Sequence, residues 1–555
     1  MTCKGAPATV FTVTNLKVTR GLDFSIGRCA LPRPHDRIPM TETNTAGSRP
    51  TPASPEALPP NGVVASFRYA FSSPARLRIE VLAGLAVSLA LIPEAIAFSI
   101  LAGVDPSMGL FASVVMAIVI AFTGGRPAMI TAATGAVALV IAPVAREHGI
   151  DYFIATVLLA GVLQIVLAAL GVAKLQRFIP RSVMLGFVNA LGILIFTAQL
   201  EHLIDVPWLV YPLFVLGLVI MIFFPKITTA IPAPLVTIVV LTALVIMAGI
   251  NVPNVSDMGQ MPDSLPSLFI PDVPYTLETL QIIGPYALGM AIVGLMESLM
   301  TAKLVDDITD THSDKTRESW GQGVANIASG FFGGMGGCAM IGQTMINVRE
   351  SGARTRLSTL LAGVFLLILI VVLGDIVGLI PMAALVAIMV LVSLGTIDWH
   401  SVHPRTLKFM PLSETAVMAV TVIATLATNN LAIGVVLGVL TAMVMFARRV
   451  AHLVTIEMVE ALDVDKDGTI DIRTYRVHGQ LFWASSNDLV YQFDYNDEAD
   501  HIIIDMSAAE IWDASTVATL DSITQKFQER GKTVEITGLD GPSRERLAKL
   551  SGRLN

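Results

Sequence analysis

From Glu80 to Phe446 the chain is a succession of apolar runs separated by short polar breaks. Fourteen runs can be distinguished, the first at 81–101, the eighth at 282–305 and the last at 431–446. A helix needs about 20 apolar residues to cross a bilayer core, and most of the runs approach that length. The pattern predicts an α-helical polytopic membrane protein of about 14 transmembrane segments. Two runs are too short and too rich in Gly and Ala to cross as ordinary helices. They are the third, 130–144, and the tenth, 338–348, which hold the same place in successive sets of seven. Irregular backbone survives at membrane depth only where protein or a watery cavity covers it. Interrupted segments at matching places in two halves are the best sequence pointer to a transporter's substrate site. The expectation is a secondary transporter that works by alternating access, with its site between two half-helices.

The placement of charge supports this count. Basic residues favour short cytoplasmic loops. With fourteen crossings and a cytoplasmic N-terminus, Arg126, Lys174, Arg177, Arg181, Lys226, Lys303, Lys315, Arg317, Arg349, Arg354, Arg356, Arg405, Lys408, Arg448 and Arg449 all fall on the inner side, and only Arg146 falls outside. The long loop 251–279 carries four acids and no Lys or Arg. Both termini are then cytoplasmic, in a multi-pass protein of the plasma membrane. Seven segments on each side of that loop make the second half enter upside down relative to the first, as a 7+7 inverted repeat.

Composition agrees. The 555 residues are 54% hydrophobic and only 14% charged, about half the charged fraction of a soluble protein. The net charge of -8 lies in the ends and outer loops and gives no ground for a nucleic-acid partner. Cys3, Cys29 and Cys338 have no metal or disulfide spacing, and Cys338 reads as a small packing residue beside the site. Residues 1–62 read as a disordered tail rich in Pro, Thr and Ser, within which Met40 is a candidate start. Residues 63–450 form the expected transport domain, and 451–555 turn soluble in composition. In that tail, strands are expected at 470–477, 501–506 and 533–538, and helices at 487–493, 516–530 and 543–550: a small cytoplasmic α/β domain. No His/Asp/Ser constellation, metal cluster or phosphate loop suggests an enzyme.

The candidate chemistry is that of an anion held without a side-chain cation. Helix N-termini offer free N–H groups and aligned peptide dipoles. Ala133, Thr134 and Gly135 open the third segment, and Ala339, Met340 and Ile341 open the tenth. Small residues there would admit an oxyanion to the amides, with the Thr134 hydroxyl as an added donor. Two carboxylates lie inside apolar runs: Glu94, after Pro93, and Glu297, with Thr301 one turn on. Buried carboxylates in a membrane are costly and mark function. Either could take a proton with the anion, or a sodium ion in its place. The bland alternative is a carboxyl bonded to a neighbouring hydroxyl such as Ser298 or Thr301. Phe98, one turn after Glu94, is a candidate lining residue. Gln322, Asn326 and Asn347 read as interhelical hydrogen-bonders, and Asp306, Asp307 and Asp310 as a solvated helix end.

These stretches resemble a known family. AGLAVSLALIPEAIAFSILAGVDPSMGLFAS (83–113) is similar to the first-helix signature of the SulP (sulfate permease) anion transporters. ESLMTAKLVDDITDTHSDKTRESWGQGVANIASGFFGGMGG (297–337) resembles that family's eighth and ninth helices. YRVHGQLFWASSNDLV (475–490) and IIIDMSAAEIWDAST (502–516) resemble the STAS domain that ends such proteins. The resemblance implies a dimeric 7+7 fold and transport of sulfate, bicarbonate, chloride, nitrate or small dicarboxylates. It matches Glu297 to an acidic coupling-ion position and Glu94 to the substrate cavity. GGMGGCAMIGQTMIN (333–347) departs from the family pattern, in which a Thr often stands at the position of Ile341. That loses a hydroxyl for which Gln343 and Thr344 are candidate replacements. Sulfate with proton or sodium symport is the leading expectation. Bicarbonate or dicarboxylate uptake, anion exchange, and a membrane anion sensor with STAS output are the alternatives.

Two signals belong to the soluble part. DVDKDGTID at 463–471 mimics the start of a calcium loop but reads as a DG hairpin turn, because Thr474 stands where a bidentate Glu is required. Ser515 matches a regulatory phosphorylation position by resemblance, and by its own context reads as a helix cap.

Overall fold

The computed structural model describes residues 61–175, 179–228, 232–259, 265–451, 454–462 and 470–552. The expected tail, the start at Met40 and the calcium-like turn at 463–469 lie outside the described residues.

The first seven apolar segments become α1 (Pro74–Ala102), α2 (Pro106–Thr123), strand β1 (Thr131–Ala133) with α3 (Gly135–His148), α4 (Ile150–Ala169), α5 (Arg181–Leu200), α6 (Val210–Ile227) and α7 (Ala233–Ala248). The second seven become α8 (Leu277–Thr309), α9 (Lys315–Phe331), strand β2 (Gly337–Ala339) with α10 (Ile341–Met345), α11 (Arg356–Gly378), α12 (Met382–Thr396), α13 (Leu412–Thr428) and α14 (Leu431–Ala451). Seven of the described helices (α1, α2, α4, α5, α6, α8 and α14) are long and apolar enough to cross a membrane. Boundaries follow local chemistry. Ser73 accepts from the Arg76 amide, Pro74 supplies a preset φ at N1, and Gly103 at φ 76° ends α1.

The helices pack in two groups, and each contact recurs with the halves exchanged. The α1–α11 contact is matched by α8–α4, α2–α11 by α9–α4, and α3–α8 by α10–α1. In the second group α5–α13 is matched by α12–α6, α5–α14 by α12–α7, and α6–α7 by α13–α14. Backbones come close where small residues face each other. A Cβ on Gly161 of α4 would lie 2.7 Å from the Gly323 carbonyl of α9, and one on Gly323 would lie 2.5 Å from the Gly161 carbonyl.

At one end of the bundle several charges expected in loops are buried instead. Arg126, 6% exposed, bridges Asp306 at 3.0 Å, and Lys315 meets the same carboxylate at 2.7 Å. Asp306 is therefore a shared counter-ion, not part of a solvated end. Glu318 accepts from the Gly125 and Arg126 amides, while Arg356 donates to the Ala121 and Gly124 carbonyls. Glu80 accepts from the Arg354 and Thr355 amides. Removing one partner of such a buried set leaves an uncompensated charge, which is why the set holds α1, α2, α8, α9 and α11 in register.

The C-terminal region forms a four-stranded sheet in the order β3 (Thr455–Leu462), β4 (Ile472–Leu481), β5 (His501–Ile511), β6 (Thr533–Thr537). The β3–β4 pair is antiparallel and the other two pairs are parallel. Helices α15 (Trp483–Leu489), α16 (Ala514–Gln528) and α17 (Gly541–Leu550) complete it. Ile502, Ile504 and Met506 alternate inward from β5 onto Val517, Leu520, Ile523 and Phe527, building one apolar core. The buried Asp497 carboxylate accepts from Arg473 (2.8 Å), the Tyr475 hydroxyl (2.7 Å) and the Ala499 amide (3.1 Å). Burial opposes its charge, but these donors outweigh burial and hold its pKa below the usual range. A depressed carboxylate stabilises the fold above its unfolded pKa, about 3.9. That contribution disappears as pH falls further, through the lower folded value. Asp497→Ala should cost about 1.5–3 kcal/mol at neutral pH, the range for hydrogen bonds to a charged group. Faster amide exchange in β4 and β5 would register the loss, and unchanged exchange would show that the cluster carries no stability.

Candidate functional site

Both short segments are strand-then-helix units. β1 and β2 pair antiparallel, with Thr131 opposite Ala339, Ala132 opposite Cys338 and Ala133 opposite Gly337. Because the strands are antiparallel, α3 and α10 leave the pair in opposite directions, each with its N-terminus at the pair. The helices begin later than the apolar runs suggest, at Gly135 and Ile341, because Thr134 and Met340 remain extended. After Met345 the tenth segment continues as a π-turn, Ile346–Glu350.

The strands' own polar groups are paired. Ile130 N–H donates to Thr344 Oγ1 (3.0 Å) and Ala133 N–H to Ser113 Oγ (3.3 Å). Gly337 N–H donates to Asn326 Oδ1 (2.9 Å), Ala339 N–H to Ser298 Oγ (3.1 Å) and Met340 N–H to Ile130 O (2.9 Å). Asn347 Nδ2 donates to the carbonyl of Ala128, which sits at a left-handed φ of 61°. Asn326 and Asn347 thus do bond between elements, and Gln322 Nε2 reaches Thr131 Oγ1 at 2.9 Å. The same pairing bears on three site expectations. The amides of Ala133, Ala339 and Met340 are already used, so they are not open to an anion. The amides left over lie one step on, in the first turns, since α3 begins its ladder only with Ala138 N–H to Thr134 O and α10 with Thr344 N–H to Met340 O. Among the described residues, no side chain caps either helix start.

The predicted side chains assemble around these two starts. A Cβ added to Gly135 would come 2.8 Å from Phe98 Cε1 and 3.2 Å from Ile195 Cδ1, so both side chains lie over the first turn of α3. Phe98 is 4% exposed. Across the pair, Gly342 faces open space. The half-buried Glu94 has the Gln343 side chain of α10 as its hydrogen-bond partner. Glu297, 8% exposed, accepts the Cys338 thiol at 2.9 Å. Neither Ser298 nor Thr301 bonds that carboxyl. Thr301 Oγ1 instead donates to the carbonyls of Glu297 (2.8 Å) and Ala339 (3.4 Å). Cys338 is therefore not mere packing, for its sulfur also lies 3.1 Å from Thr134 Oγ1. Sequence reasoning missed this link because a lone cysteine in an apolar run carries no spacing signal.

Two cavities flank these residues along α1. One, of 1080 Å³, touches Leu82, Leu85 and Leu89 of α1, Ile346 and Glu350 beyond α10, and the α6–α7 connection. The other, of 320 Å³, touches Ile100 and Leu101, Leu139 and Arg146 of α3, and Leu194 and Thr197 of α5. Between them lie Glu94 and Phe98. Away from the bundle, Ser515 stands exposed in the first turn of α16, whose cap is Asp513: its carboxylate accepts from Thr516 N–H at 3.0 Å. Ser515 is therefore not the cap.

This arrangement is a polytopic helical bundle built around a pair of broken helices, and sequence comparison identifies its family. The sulfate permease family model matches residues 77–210 and 205–423, and the STAS domain model matches 463–552. The chain belongs to the sulfate permease family, whose members are anion transporters and not enzymes, and it carries a C-terminal STAS domain. It is 48% identical over 475 residues to "Putative sulfate transporter YbaR" of Bacillus subtilis (strain 168), covering 86% of this chain and 97% of that one. It is 25% identical over 521 residues to the bicarbonate transporter BicA of Picosynechococcus, covering 85% and 91%. The fold is that of the murine anion transporter Solute Carrier 26 family member A9 in its inward-facing state, with a TM-score of 0.76 at 16% identity over 90% of this chain and 92% of that one.

Gly135→Val should force the Phe98 and Ile195 side chains off the first turn of α3. Overpacking of this kind costs about 1–3 kcal/mol of stability. If the first-turn amides hold the anion, its affinity measured by calorimetry should also fall about tenfold, or about 1.4 kcal/mol. Wild-type affinity in a folded variant would move the binding locus away from α3.

Proposed function

We propose that this protein is a proton-coupled secondary importer of an inorganic anion, sulfate first among the candidates. The observation that carries the reading is the pair of opposed, uncapped helix starts at β1–β2, with Glu94 and Glu297 on either side. The anion sits against the first-turn amides of α3 and α10, where aligned peptide dipoles supply positive potential without a cationic side chain. Thr134 adds a hydroxyl. Glu94 stands on the substrate side: neutral, it donates a hydrogen bond to the anion, and ionised, it repels it. Glu297 takes the coupling proton. A sodium ion fits less well, since a thiol hydrogen faces the Glu297 oxygen that would ligate it.

The fourteen elements are read as fourteen membrane segments in a 7+7 inverted repeat, which the exchange of packing partners between halves supports. With both termini cytoplasmic, the larger cavity lies on the cytoplasmic side and the smaller outside. Rocking one group of helices against the other opens these in turn, which is alternating access around a fixed site. The protein acts as a homodimer in the plasma membrane, as the family resemblance implies. YbaR's name supports sulfate, and BicA's keeps bicarbonate as the second reading.

Radiolabelled sulfate uptake into proteoliposomes under an imposed inward proton gradient tests the reading. Wild-type protein should accumulate sulfate above equilibrium. Glu297→Gln should lose that accumulation while keeping part of its sulfate–sulfate exchange. Undiminished accumulation in Glu297→Gln would remove the coupling role. Wild-type accumulation of bicarbonate but not sulfate would replace the substrate.

A further inference from the structure

The Cys338 thiol stands between two groups to which the transport reading gives separate tasks. Its sulfur is 2.9 Å from Glu297 Oε2 and 3.1 Å from Thr134 Oγ1, and all three residues are almost fully buried. Thr134 occupies the N-cap position of α3, where a threonine oxygen ordinarily accepts from an amide of the first turn. It makes no such bond, and its hydroxyl turns to the sulfur.

Counting hydrogens gives the link a direction. The thiol and the threonine each own one hydrogen and can also accept. A carboxylate only accepts, and a carboxylic acid has one O–H to donate. With Glu297 ionised, the thiol hydrogen points to Oε2. The sulfur then shows only lone pairs to Thr134, whose O–H turns to it. Toward the start of α3 the threonine presents lone pairs, which repel an anion. With Glu297 protonated, the acid O–H donates to the sulfur and the S–H rotates to Thr134 Oγ1. The threonine O–H is then released toward the first-turn amides. No bond to hydrogen breaks at Cys338 or Thr134. The one proton exchanged with solvent is held by Glu297, and the other changes are rotations.

We propose that Cys338 is a positioning residue that relays the protonation state of Glu297 to Thr134, making the threonine a donor to the anion only when the carboxyl is protonated. The relay rests on the proton-coupled reading and supplies its sign: acid strengthens anion binding. Glu94 of α1 meets the same anion and keeps its own pH response in every Cys338 variant, so the relay is read as the change in slope; the other titratable groups lie farther off. On α8 itself Glu278, Lys303, Asp306 and Asp307 lie toward the ends. On the elements packed against α8, Asp151 of α4, Arg146, Glu147 and His148 of α3, Lys315, Arg317 and Glu318 of α9, Arg349 and Glu350 beyond α10, and Arg448 and Arg449 of α14 also lie toward the segment ends. The titratable partner that Glu297 meets is Cys338.

Sulfate KM in proteoliposomes holding the full chain, measured at acid and at alkaline pH, tests the relay. Wild type should show a lower KM at acid pH. Cys338→Ala frees the Thr134 hydroxyl in both states, so its alkaline KM should fall about tenfold toward the acid value, the worth of one hydrogen bond to a charged group. Cys338→Ser, which keeps one donor and an acceptor, should restore the pH slope. A Cys338→Ala variant that keeps the wild-type slope, or whose KM rises equally at both pH values, overturns the relay. A wild-type KM that ignores pH overturns the proton-coupled reading beneath it, which is a distinguishable result. Infrared spectroscopy gives a readout free of transport. In protein carrying Cys3→Ser and Cys29→Ser, acidification should shift the Cys338 S–H stretch as its acceptor changes from carboxylate to hydroxyl. An unmoved band also overturns the relay.

Discussion

The structure depends on one constraint: inside a bilayer core, backbone N–H and C=O groups have no water to satisfy them. Two helices that begin inside the bundle leave about four N–H groups each without an intrahelical partner, besides those of the extended residues before them. The pairing of β1 with β2 absorbs many of them, and Ser113, Ser298, Asn326, Thr344 and Asn347 absorb others at named atoms. What remains are the first-turn amides of α3 and α10, converging from opposite sides of the strand pair. An orphaned donor in an apolar core is costly unless an acceptor meets it. The proposed function gives that role to the transported anion.

The rest of the molecule packs closely around that position. Close crossings such as Gly161 against Gly323 lock α4 to α9, and the buried set around Arg126, Asp306, Glu318 and Arg356 ties one end of the same group together. Over the site, Phe98 and Ile195 cover the first turn of α3, with a cavity on either side along α1. On the proposed reading, coupling needs a path from a proton to the anion, and the contacts from Glu297 through Cys338 to Thr134 are the path assigned to it.

Much of this was legible in the sequence, for identifiable reasons. Segment number and the oddity of 130–144 and 338–348 follow from hydropathy alone, and Glu94 and Glu297 stand out because charge inside an apolar run is rare. What hydropathy cannot show is how small residues divide between strand and helix. Ala133 and Ala339 read as the openings of helices but lie in strands, so the free amides fall later. Nor does it separate a topological charge from a structural one: Arg126 and Arg356 sit in loops by pattern yet are buried against carbonyls and carboxylates. In the soluble part, alternation located β4, β5 and β6. It missed β3, whose residues follow α14 with no more than a short break, and it placed α15 four residues late. Cys338 was visible as a residue but not as a bridge, because its two partners are 41 and 204 positions away.

The most direct measurement is the position of the bound anion itself. Crystals of the protein grown with selenate, a heavier analogue of sulfate, would mark it by anomalous scattering from selenium. A peak is expected within hydrogen-bonding distance of the Gly135–Val137 amides, beside Thr134 and across from Gly342. A peak confined to Arg146 or another surface cation, with the junction of α3 and α10 empty, would contradict it.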